Sequence, residues 1–225
     1  MIVFSQQIPS IIFFLAFLMG SSPLGSFAVG QNKPGGRSGN YDNLLLIGVD
    51  ENSGELTGYF EDAVGWDERT KSPRFTCAFF LYGRLRGDAY EITTWYPDIG
   101  DPIKGRLKFV TVDNLSRAQI KLEELPGGCG MAHPSLAQDG GDELELSAPG
   151  NWTSVRAVSA KQAFFHKATD SRTKTKAYVV RGDAIRVFRV QNGWVEAEFG
   201  ATGSNKQTRG WIQESTLFTA APAQR

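Results

Sequence analysis

Residues 75–96, FTCAFFLYGRLRGDAYEITTWY, decide the fold. Cys77 to Leu81 is apolar at every position, which a strand tolerates only when both of its faces are covered. The polar turn Arg86-Gly87-Asp88 follows. In YEITTWY, 90–96, Ile92 then alternates with Glu91 and Thr93, the period-two pattern of a strand with one wet face. Outward from this hairpin the same grammar repeats. LLLIGV at 44–49 and ELTGYF at 55–60 flank the turn Glu51-Asn52-Ser53-Gly54, which explains the acidic run 50–55 better than a calcium loop does. RLKFVTV at 106–112, AQIKLEEL at 118–125 and ELELS at 143–147 are also of strand length. No helical stripe interrupts residues 41–148. About seven antiparallel strands with short connections predict an all-β unit, a meander closed into a small barrel or a two-sheet sandwich.

Ala148-Pro149-Gly150-Asn151 breaks the pattern, and the charge reverses there. The 225 residues carry 24 basic and 24 acidic side chains, so the whole chain has no excess that would draw a nucleic acid. The balance hides a division: residues 29–148 hold 12 basic against 19 acidic side chains, and residues 149–225 hold 12 against 5. A net −7 followed by a net +7 predicts two units, 41–148 and 151–220, that either serve different partners or dock through complementary fields.

Residues 1–28 contain no Asp, Glu, Lys or Arg, and IIFFLAFLM at 11–19 is too short to span a bilayer. With Ser26-Phe27-Ala28 as a cleavage site, this predicts a signal peptide, a mature start at Val29, and a periplasmic or secreted protein. VGQNKPGGRSGN, 29–40, reads as a flexible leader. Export to an oxidising compartment makes Cys77 and Cys129 the expected disulfide. The rival reading, a cysteine nucleophile, lacks an adjacent group that would lower the pKa of Cys77.

The second unit runs through TSVR, KQAFFHKATD, KTKAYVVRGDAIRVFRVQNGWVEAEF and RGWIQESTLF. Its turn at Gly182-Asp183, its Asn192-Gly193-Trp194 step and its closing Gly210-Trp211-Ile212 with Leu217 resemble a bacterial SH3-like domain over residues 152–218. The resemblance implies a small barrel with an aromatic-lined groove for extended peptides. On that basis Phe165, His166, Tyr178 and Trp194 are the candidate groove residues, with Lys174 and Lys176 supplying charge for peptidoglycan-stem carboxylates or a protein partner. Core packing is the competing role for Trp194 and Trp211.

Nothing in the sequence makes a catalytic set, a metal site or a cofactor motif. His133 and His166 have no partner at metal-ligand spacing, His133-Ser135-Asp139 lacks a nucleophile elbow, and His133 before Pro134 reads as an exposed loop residue. The expected function is a non-enzymatic exported binding protein. The alternative is an inhibitor or immunity protein, its acidic unit neutralising a basic cell-wall-degrading enzyme.

Overall fold

A computed structural model describes residues 37–200 and 206–219, and the expected signal peptide and most of the leader lie outside them. The described residues are all β apart from one short helix and three 3-10 turns. Eight strands form a closed antiparallel barrel in simple meander order: β1 (Gly39–Tyr41), β2 (Leu45–Asp50), β3 (Glu55–Asp67), β4 (Ser72–Arg86), β5 (Ala89–Tyr96), β6 (Ile99–Val112), β7 (Leu115–Leu122) and β8 (Asp142–Pro149). The strand absent from the sequence reading is β1. Three residues long, it carries no visible alternation, yet it pairs with both β2 and β8 and so closes the barrel. The predicted leader therefore ends before Gly39, since Gly39 and Asn40 are buried strand residues.

Inward-facing positions fill the barrel. Leu45 opposes Phe60, and Val49 opposes Leu56; with Phe79, Leu81, Ile92, Leu107 and Ile120 they make a packed core, as an eight-stranded barrel of this size permits. The helix α1 (Cys129–Ala132) and a 3-10 turn, Pro134–Ala137, lie in the β7–β8 connection, where Leu136 and Cys129 join that core. The expected disulfide between Cys77 and Cys129 is present, tying this connection to β4. Beyond Phe60 and Phe80, β3 and β4 pair only with each other and run on as a ribbon bearing the exposed Trp66 and Phe75.

Six further strands, β9 (Ser154–Ala157), β10 (Gln162–His166), β11 (Lys174–Val180), β12 (Ala184–Gln191), β13 (Trp194–Phe199) and β14 (Thr208–Gln213), form a second antiparallel sheet in the order β11-β10-β14-β13-β12-β9. It gathers around its own small core, including Phe165, Ile185, Val187, Val195 and Ile212. Asn192 and Gly193 both adopt positive φ in the two-residue turn between β12 and β13, the geometry that turn demands.

The sheet packs on the outer face of the barrel. Gly48, paired with Thr57, leaves room for β9: a Cβ on Gly48 would lie 2.5 Å from Ser154 Cα. The Val155 N–H donates to Thr57 Oγ1 at 2.7 Å, and the Trp152 indole N–H donates to the Ile47 carbonyl at 2.7 Å. Further along the same outer face Tyr59, Phe80 and Trp95 pair across β3, β4 and β5, and Phe218 meets Trp95 edge-on at 5.4 Å. This row accounts for the doubly apolar stretch 77–81: Phe79 and Leu81 fill the barrel while Phe80 lies in the outer aromatic row.

Candidate functional site

Strand β10 begins the site. Its alternation turns Ala163 and Phe165 into the core, where Phe165 is 1% exposed, and leaves Phe164 on the other face. Phe165 is therefore a core residue and not a groove residue. In the doublet Phe164-Phe165 one ring must face inward, and the pairing of Ala163 with Val179 of β11 sets which one. Phe164 lies on the opposite face, where it pairs with Tyr178 with ring centroids 5.6 Å apart, and Lys174 Nζ sits 3.5 Å above its ring.

A register shift after Phe164 brings His166 opposite Lys174. His166 is nearly buried, its Nδ1 lies 3.2 Å from the Asp170 carbonyl, and its ring meets Trp194 edge-on at 4.9 Å. Phe164, His166 and Lys174 line one cleft of about 240 Å³, with Gln162, Gln213 and Thr216 completing it. Tyr178 stands beside the cleft, 48% exposed, and Lys176 is exposed. Neither Lys174 nor Lys176 has an acidic partner among the described residues, whereas Arg172 is held by Asp170 at 2.7 Å. Strand β11 is also an edge strand, pairing only with β10, so its other side offers backbone groups to an added strand. The opposite edge strand, β9, is covered by the barrel.

A second, larger cavity lies in the barrel. About 460 Å³ opens between β4, the β5–β6 turn and the segment 124–127, and is lined by Phe79, Thr94, Trp95, Tyr96, Ile99, Asp101, Ile103 and Glu124 among others. The disulfide positions one wall, because Cys129 follows Pro126 and Gly127 while Cys77 adjoins Thr76, and all three of Thr76, Pro126 and Gly127 line the space.

His133, expected to be an exposed loop residue, is instead a clamp with 15% side-chain exposure. Its Nδ1 lies 2.8 Å from Asp62 Oδ2 of β3, its Nε2 contacts Asp142 Oδ2 of β8, and its ring meets Phe60 edge-on. Burial disfavours the imidazolium, but the hydrogen bonds and charges of Asp142 and Asp62 outweigh it and hold the His133 pKa above its ordinary value. Neither aspartate was detectable from sequence, since they lie 71 and 9 residues away. Ser135 and Asp139 play no part in this contact. Among the described residues no group of His, Cys, Asp and Glu has the arrangement of a metal site.

Compared with known protein families, curated proteins and solved structures, the chain matches none.

Proposed function

We propose that this is an exported, non-enzymatic binding protein that holds an extended, anionic peptide along β11. The observation that carries the reading is the edge itself: an open strand flanked by Tyr178 and the Phe164 ring, with two lysines that no acidic group neutralises among the described residues. Backbone pairing to an edge gives affinity, rings supply flat contact area at low entropic cost, and the lysines select carboxylates. Peptidoglycan-stem peptides and acidic protein segments share this chemistry. The disulfide supports export, because such bridges persist in oxidising compartments. An SH3-like reading of residues 152–218 belongs to the same proposal and is supported by the six-stranded antiparallel sheet, its single small core and its Asn192-Gly193 turn.

The test is co-sedimentation of the mature chain with purified peptidoglycan. Binding should weaken with salt without vanishing. Tyr178→Ala should cost at least about 2 kcal/mol, some thirtyfold in Kd, while Lys176→Ala should mainly reduce the salt dependence. No sedimentation at low salt rejects the cell-wall ligand. The second reading, inhibition of a basic cell-wall-degrading enzyme, is favoured by the acidic barrel, one cavity of which carries Asp101 and Glu124 without ion-pair partners among the described residues.

A further inference from the structure

We infer that the 460 Å³ cavity of the barrel is a second binding site, for a cation carried on an apolar stem such as a lysine side chain or an alkyl diamine. Its floor and its rim have opposite characters. Phe79, Trp95, Tyr96 and Ile103 give an apolar, largely aromatic wall that suits a methylene stem and the face of a cation. Asp101 and Glu124 enter the same space from β6 and from the segment after β7, and neither has an ion-pair partner among the described residues. An independent feature is Thr94. The residue is 2% exposed and lines the cavity, and no described residue hydrogen-bonds its hydroxyl, which leaves that oxygen free to accept from a group placed in the cavity. An ammonium group has three donors and no acceptor, which matches two carboxylates and a hydroxyl oxygen.

Three further observations bear on the occupant. The volume lies within the range of small-ligand sites. The wall is preorganised, because the Cys77–Cys129 bridge and the Glu123 N–H to Lys104 carbonyl bond, 2.9 Å, fix the segment that bears Glu124. The surrounding unit has net charge −7 over residues 29–148, which draws cations toward it. The site shares no residue with the β11 cleft, so the two can fail separately.

The probes are a blocked Ala-Ala-Lys-Ala-Ala peptide, the same peptide with norleucine for lysine, and cadaverine, each titrated into the isotope-labelled mature chain by NMR. The lysine peptide should shift the amides of residues 94–103 and 124–127. The norleucine peptide should bind at least tenfold more weakly. The double variant Asp101→Asn, Glu124→Gln keeps the shape of both exposed side chains and should weaken lysine binding at least tenfold, while Tyr178→Ala leaves it unchanged. Cadaverine binding as tightly as the peptide identifies a free amine as the source of the cation, and much weaker cadaverine binding identifies a protein segment. Equal binding of the norleucine peptide, indifference to the double variant, or no cavity shifts with either lysine peptide or cadaverine overturns the site.

Discussion

Replacing His133 by glutamine removes a charge and a donor from a three-part clamp and leaves its volume nearly intact. In the native protein the His133 ring reaches Asp62 on β3 and Asp142 on β8 at once, so it fastens the β7–β8 connection across the barrel mouth. Deprotonation leaves the ring with one N–H for two carboxylates, so one bond to a charged group is lost, worth about 1.5–3 kcal/mol when buried. The three side chains are 15–22% exposed, which places the expected value toward the lower end. The direction with pH follows from the raised pKa. The contribution is complete below the ordinary value of 6.5 and is lost as pH rises through the higher folded value. Urea unfolding of wild type and His133→Gln, followed by tryptophan fluorescence, should therefore differ by about 1.5–3 kcal/mol near pH 6 and by under about 1 kcal/mol near pH 9. A difference that stays level, or grows with pH, excludes a protonated His133 bridge.

Three other perturbations probe the frame around the two sites. Joint replacement of Cys77 and Cys129 by alanine reopens a loop of 52 residues and should cost about 4 kcal/mol in urea unfolding by the chain-entropy relation. Thr57→Val leaves the buried Val155 N–H without its acceptor and should cost about 1–3 kcal/mol, a loss that Thr57→Ser should largely avoid. Gly48→Ala pushes a Cβ into the Ser154 backbone and should expose β9 to hydrogen exchange while the barrel amides stay protected; unchanged exchange at β9 refutes the close approach.

The barrel was legible because its strands show the alternation that a half-wet sheet imposes, as at Leu107 and Phe109 or Leu144 and Leu146. What sequence concealed was decided by pairing rather than by pattern. β1 is three residues long and reads as part of a Gly-rich leader, and the β3–β4 ribbon beyond Phe60 is mostly exposed, so neither carries periodicity. The cluster beside β11 was half visible. His166, Tyr178, Trp194, Lys174 and Lys176 do lie in one region, but Phe164 and Phe165 are adjacent rings whose inward and outward roles depend on register. Asp62, His133 and Asp142 meet only because the barrel closes, and Thr94 differs from Thr93 only in the face it occupies.

The opposite charges of the two halves take on a meaning once the junction between barrel and sheet is described. A net −7 beside a net +7 would be spent if the halves were held together by ion pairs. They are not. Of the ion pairs between described residues only Arg181 with Asp98 crosses the junction, and both side chains are substantially exposed, so it contributes at most about 1 kcal/mol. The contact is made instead by an aromatic row, a glycine that admits β9, and two buried hydrogen bonds from Trp152 and Val155. Most of the charge therefore remains on the outside, and it is distributed by sign: unpaired carboxylates at the barrel cavity, unpaired lysines beside β11. Both fields stay unneutralised at the junction, as the two proposed ligands of opposite charge require. This also accounts for a near-neutral chain that carries strong local fields, because attraction for each proposed ligand would act over about 8–10 Å and needs no net charge beyond that range.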